Sequence, residues 1–348
     1  MVLFDLLKQG AAVSTDRPGE GSATDREADA SRGSDGSAQK RLKRVVVLVR
    51  SKKGVSASHR LASIRDSPMF RPLRESGAWI DEAEEANTQS TSGAYDPGAS
   101  RLCPSSAAFG SRRAAAAARA RGAFVTVVEG ELGKEGVGLT PEAHAMLAEA
   151  SVTHSLHCAA SVSFSDPLAK AAATNVTGAL RVAALVASWP SCRTLVHVST
   201  AFVHGGNTGT EARPLSQELP DLGGRNAERL YRSAQNAPGG YSSSGVGGRG
   251  GPGPGKHALE AMEDLGYPNT YTFTKALGEH LLTRALRAHN RRLGRAERSE
   301  KEMQTQKQCD APAPGLRLRI VRPSIVGPAW VFPWPGWTGE QPSTVTGE

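Results

Sequence analysis

Five short runs rich in β-branched residues, "RVVVLVR" (44–50), "AFVTVVEG" (123–130), "THSLHCAA" (153–160), "RTLVHVST" (193–200) and "LRLRIVRP" (316–323), constrain this chain more than any other feature. Runs of this length and composition read as buried strands. Helical patterns separate most of them: "SASHRLASIRDS" follows the first, "TPEAHAMLAEA" the second and "KAAATNVTGALRVAALVASW" the third, and "YTFTKALGEHLL" precedes the last. Strands alternating with helices predict a parallel sheet joined by crossovers, because a parallel neighbour cannot be reached by a tight hairpin. The fold class expected is α/β, a doubly wound sheet of Rossmann type with helices on both faces. Strand 44–50 is expected beside 123–130, and 153–159 beside 194–199.

Four stretches break the pattern, at 10–40, 84–121, 205–256 and 288–314. They are rich in Gly, Ser, Asp, Arg and Ala without a usable period, and are expected to be disordered insertions in one domain spanning 1–348. Two glycine motifs inside them are compositional. "GRGGPG" (248–253) fits G-x-G-x-x-G and "GGPGPGK" (250–256) nearly fits a phosphate loop, but no strand precedes either. Prolines interrupt the turn, and His257 stands where a phosphate loop needs a hydroxyl for magnesium.

Composition narrows the function classes. The net charge is +8, yet the arginines are scattered or gathered in segments such as "SRRAAAAARARG", with no aromatic-interleaved basic stripe, so nucleic acid is not the expected partner. A basic surface suits a phosphate-rich small ligand. No run of about 18 apolar residues is present, so no transmembrane helix is expected. The 4 cysteines show no C-x-x-C and no paired histidine spacing; buried free thiols are expected, and no metal site.

Chemistry is expected at the C-terminal strand ends, where open parallel sheets bind ligands. Tyr271 and Lys275 are four apart at the start of a helical run, hence on one face. An ammonium beside a phenol favours the phenolate, so the Tyr271 pKa is expected to fall, making it a proton donor to a carbonyl under reduction. Strand 193–200 ends in Ser199 and Thr200, whose hydroxyls complete a Thr/Ser–Tyr–Lys set. Strand 44–50 ends in Arg50, suited to a ribose 2′-phosphate and hence to NADPH. Strand 123–130 leads to Glu131, a candidate near the adenine, and Ala159 and Ala160 let backbone approach a cofactor closely.

In this order, "RVVVLVRSKKGVSASHRL", "HCAASVSFSDPLAKAAATNVTGALRV", "VHVSTAF", "YPNTYTFTKALGEHLL" and "IVRPSIVGPAWVFPWPGW" resemble the reductase domain of alcohol-forming fatty acyl-CoA reductases, which are extended short-chain dehydrogenases. The resemblance implies Tyr271 as general acid and Thr200 as the hydroxyl that bonds the substrate oxygen, with Ser199 as its alternative. It implies Lys275 on the nicotinamide ribose, Asn175 near the active site, and the backbone of Pro323, Ile325 and Val326 along the nicotinamide. It implies NADPH as cofactor and a long-chain fatty acyl-CoA reduced through an aldehyde to a primary alcohol plus CoA. Peripheral membrane association and an endoplasmic reticulum, peroxisome or plastid address belong to the same family expectation. Two alternatives stay open: a truncated, non-catalytic remnant, and a thioester reductase acting on carrier-bound acyl groups. The family's first strand and glycine-rich turn are missing from the sequence, and "MVLFDLLKQ" resembles the helix that follows that turn, so truncation at both ends is expected.

Overall fold

The computed structural model describes residues 44–75, 79–81, 123–206, 209–210, 214–237, 255–303, 315–331 and 334–338. The helix expected over 1–9 and the insertions expected over 10–40 and 84–121 lie outside the described residues. The chain divides into two compact units, one holding residues up to Glu129 together with Ala329–Trp337, the other Gly130–Pro328 with Thr338–Glu348.

The first unit is built on a three-stranded parallel sheet of order β1-β3-β2, with β1 Arg44–Val49, β2 Trp79–Asp81 and β3 Ala123–Glu129. Val45 pairs with Val125 and Val47 with Val127, so the β-branched runs face one another rung by rung as expected. Helix α1 (Ala57–Asp66) starts where the Ser56 side chain accepts from the His59 N–H, relieving one of the orphan donors of a helix N-terminus. A short turn, Pro68–Phe70, leads into α2 (Arg71–Glu75). Leu61, Met69, Phe70, Leu73, Trp79 and Val125 close the core, with Phe70 and Trp79 edge to face at 5.3 Å. Strand β2 escapes the sequence pattern because three residues are too few to show a period.

The second unit carries a parallel sheet of order β4-β5-β6, with β4 His154–His157, β5 Thr194–Val198 and β6 Arg317–Val321. Strands β4 and β5 pair as the sequence expects, His157 opposite His197. Helix α3 (Pro141–Glu149) is capped by Thr140 and begins with proline at its first position, where no N–H is needed. Helices α4 (Leu168–Ala172) and α5 (Gly178–Ala187) are joined through a π turn, Ala173–Thr177. The 34-residue helix α8 (Thr270–Met303) packs along them, its Phe273, Ala276, Leu277, Leu281 and Leu282 buried.

Two expected insertions are partly helical. Within 205–256, Asn226 caps helix α6 (Ala227–Gln235), which buries Leu230 and Ala234. The next helix, α7 (Lys256–Asp264), buries Ala258, Ala261 and Met262. Both packed faces join one core with Leu222, Val203 and Phe273. In the stretch 288–314, helix α8 runs on through Gly294 to Met303, carried by the good helix formers on either side of that glycine and with no proline to stop it.

Candidate active site

The parallel order brings the C-terminal ends of β4, β5 and β6 to one end of the second unit's sheet. Past β5, Ser199 continues the pairing with β6 by donating its N–H to the Val321 carbonyl at 2.7 Å, and Ala201 donates to the Pro323 carbonyl at 2.9 Å. Thr200 between them is extended and caps a 3₁₀ turn, Ala201–His204, its Oγ1 accepting from the Phe202 N–H at 3.3 Å. The strand end is therefore stitched on both sides of Thr200, whose side chain is buried.

Helix α8 delivers Tyr271 and Lys275 to that end. Lys275 is 2% exposed, and its Nζ donates to the Val198 carbonyl at 2.8 Å. Burial pulls its pKa down to about 8, against the opposing influence of Cys158 and Glu279. The half-buried phenol of Tyr271 is pushed up by burial, with a hydrogen bond from Thr200 working the other way. This corrects the lowering expected from the lysine. The ammonium is held on a backbone carbonyl, and loss of water dominates the phenol. Tyr271 is consequently a phenol, not a phenolate, at neutral pH, the form that gives up a proton. Phe164 lies against it with ring centroids 5.9 Å apart.

Asn175 sits within the π turn, 1% exposed, and all its amide groups are used. Its Oδ1 accepts from the Ser161 N–H at 2.8 Å, while Nδ2 donates to the Ser161 carbonyl at 3.1 Å and to Thr274 Oγ1 at 3.1 Å. It thus ties the segment after β4 to the residue preceding Lys275. Asp166 reinforces the tie: it accepts from Ser161 Oγ at 2.5 Å and from Lys170 at 2.8 Å, and its carbonyl accepts from Thr270 at 2.8 Å. Those hydrogen bonds, the lysine's first, hold its carboxyl below the usual range.

The structure thus assembles Ser199, Thr200, Tyr271, Lys275, Asn175 and Pro323. Ser199 Oγ is buried with no hydrogen-bond partner in the protein. Ala160 and the exposed Ala159 follow β4, and Ile325 and Val326 are exposed beyond β6. Glu131 is engaged locally: its N–H bonds the Val137 carbonyl at 2.7 Å and its carboxylate pairs with Lys134 at 3.3 Å. Arg50 belongs to the first unit, exposed at the end of β1, its carbonyl accepting from Arg60. Cys192 is a buried free thiol as expected, whereas Cys158 is exposed because its strand ends there. Among the described residues no three His, Cys, Asp or Glu side chains gather as a metal site.

Sequence reasoning missed two features. Arg322 forks onto the fully buried Glu279 (Nε–Oε1 2.9 Å, Nη2–Oε2 2.6 Å) and also donates to the carbonyls of Ser216 and Glu218. His157 and His197 stack at 5.2 Å, both buried. The strand register alone reveals the second, since each histidine is the third residue before its run's alanine or threonine end.

Comparison with known proteins follows the same line. The male sterility protein family model matches residues 37–294. Fatty acyl-CoA reductase wat of Drosophila melanogaster is 27% identical over 216 residues, 61% of this chain and 32% of that one. The putative fatty acyl-CoA reductase CG8303 of the same organism is 30% identical over 222 residues, covering 62% and 31%. Fatty acyl-CoA reductase 2 of Homo sapiens is 23% identical over 195 residues, covering 52% and 26%. The chain spans about a third of the length of the first two. Among solved structures, the terminal R domain from the myxalamid PKS-NRPS biosynthetic pathway aligns with a TM-score of 0.40 at 18% identity, over 82% of this chain and 43% of that one. A family match across residues 37–294 takes in most of both compact units, and the chain belongs to the male sterility protein family of NAD-binding domains.

Proposed function

We propose that this chain is the nicotinamide-binding part of an NADPH-dependent fatty acyl-CoA reductase that carries a long-chain acyl thioester through the aldehyde to a primary alcohol. The observation that carries the reading is the meeting of Thr200 with Tyr271 at the end of β5, beside a lysine seated on the Val198 carbonyl. The residues fit a nicotinamide ribose. Lys275 uses one N–H on Val198 and has a further N–H free to meet a ligand hydroxyl, and the orphaned Ser199 Oγ lies one residue further along. When bound, one reduced nicotinamide would supply a hydride to the thioester carbonyl carbon, giving a hemithioacetal that expels CoA as its thiol, and a second would supply a hydride to the resulting aldehyde. Tyr271 donates its phenolic proton to the carbonyl oxygen, and the Thr200 hydroxyl hydrogen-bonds the same oxygen as charge develops on it. Lys275 orients the ribose, and Asn175 and Asp166 hold the post-β4 segment against the start of α8. Exposed Val162, Phe164, Phe202, Ile325 and Val326 follow the three strand ends and suit an apolar acyl chain. Arg50, at the end of β1, is assigned to the 2′-phosphate.

Tyr271→Phe is expected to abolish NADPH-dependent alcohol formation from a long-chain acyl-CoA while leaving NADPH affinity within about threefold, the signature of an interaction made only in the transition state. Turnover retained in this variant would remove Tyr271 from the reaction. Arg50→Ser should weaken NADPH about tenfold, roughly 1.4 kcal/mol, without weakening NADH. An unchanged preference would mean that the phosphate is read elsewhere.

A further inference from the structure

The face of β5 that carries Leu195 also carries His197 and Ser199, since side chains alternate along a strand. Leu195 packs among Ala179, Ala183, Val186, Leu282 and Leu286, so this is the face covered by α5 and α8. His197 is fully buried there, and neither of its ring nitrogens has a hydrogen-bond partner in the protein. His157, opposite it in register, stacks on it with the rings tilted by 31°. Burial, and after it the Lys275 charge, holds His157 down at about 4 and His197 at about 2, with His157 adding to the latter. Both rings are uncharged at neutral pH. An uncharged imidazole has one N–H and one bare nitrogen, and burying them unpaired costs free energy that a leucine of similar size would not. Lys275, by contrast, has N–H donors beyond the one given to Val198. Spare donors and spare acceptors therefore meet at one strand end.

We propose that His197 is a positioning residue for Lys275, its imidazole supplying a second acceptor to the ammonium through one bridging water while His157 braces the ring. The ammonium is then fixed by two acceptors on β5, the Val198 carbonyl and the His197 ring, and one N–H remains for a ligand. The groups that bear on Lys275 are His157 and Cys158 from the end of β4, His197 from β5, and Glu279 from α8 itself, whose charge Arg322 neutralises. Tyr271 lies one turn back on the same helix. An acceptor facing the ammonium favours its charged form, so losing that acceptor lowers the Lys275 pKa further.

The role of His197 in turnover rests on the reductase reading, but its coupling to Lys275 is measurable without turnover. The full chain, labelled at lysine Cε, is titrated by NMR as wild type, His197→Leu and His197→Asn, and each is melted. His197→Leu should melt close to the wild type, because the variant loses the water-bridged bond but also removes a polar ring that has no direct partner in the protein. Its Lys275 titration should nevertheless fall by about one pH unit. His197→Asn, which keeps an acceptor, should restore most of that fall. A Lys275 titration unmoved by His197→Leu overturns the proposal, whatever the melting does. Should His197→Leu not fold, ¹⁵N shifts of the His197 ring in the unmutated chain decide: a ring nitrogen accepting a hydrogen bond supports the proposal, and two free nitrogens sink it. If Lys275 responds as expected while Tyr271→Phe still reduces substrate, the coupling stands and the reductase reading falls.

Discussion

Two uncharged imidazoles and one buried ammonium give the end of β5 an acid–base balance that stability measurements can read. His157 is held at about 4 against an ordinary 6.5, so the unfolded chain binds protons in that window and the folded chain does not. Its contribution to stability is complete above about pH 6.5 and is lost as pH falls towards 4, by roughly 3 kcal/mol; His197 acts with the same sign. Melting temperature should therefore fall between pH 7 and 5, before the lowered carboxyl of Asp166 begins to titrate, and His197→Leu should flatten that slope. Lys275 works in the other direction at neutral pH, because its ammonium is buried. Lys275→Met should raise the unfolding free energy at neutral pH by about 2–3 kcal/mol, and the melting temperature with it, while ending turnover. A fall in melting would mean that the Val198 bond outweighs the lost hydration. Tyr271, Lys275 and Thr200 are legible in the sequence because each sits at a fixed offset in a local element. The histidine pair is not, since a lone histidine on an alternating strand says nothing of its neighbour until the register is known.

At the scale of elements, the segment after β6 is fastened to α8 by Arg322 and Glu279, a forked pair in which Glu279 is fully buried and Arg322 partly so. Removing one partner strands the other: Arg322→Ala should cost about 3–5 kcal/mol in denaturant unfolding, and Arg322→Lys should recover only part, because a point charge cannot fork. Replacing both together with leucine should cost much less than the single change. Equal losses would show that the pair serves packing alone. Gly205 ends the turn after Thr200 at φ +61, and a Cβ there would run into the Leu265 carbonyl. Gly205→Ala is therefore expected to destabilise the chain and to loosen Thr200. Every strand but β2 is legible from period and composition, and so are helices α1, α3, α4, α5 and the start of α8. Helices α6 and α7 are hidden by the low-complexity sequence around them, and their apolar faces, Leu230 with Ala234 and Ala258 with Met262, are too narrow to register until the core they enter is seen.

At the scale of the whole molecule, a net charge of +8 makes approach of a phosphate-rich ligand a long-range event. Association of NADPH should slow several-fold as salt rises from about 20 to 200 mM, with the melting temperature little changed. A rate indifferent to salt would confine the charge to regions away from the site. The sheet order has a temporal consequence as well. In the second unit β5 has β6 as its partner on one side, and the two are separated in sequence by the whole of α6, α7 and α8. Such non-local pairing is slow, since long loops must close before the ladder forms. During synthesis, Thr200 and Tyr271 leave the ribosome well before Val321 and Pro323, whose carbonyls hold the strand end on either side of Thr200. The nascent chain therefore carries Thr200, Tyr271 and Lys275 for some time before the strand end that positions them is closed, and over that interval the open edge of β5 is a surface for chaperones to guard.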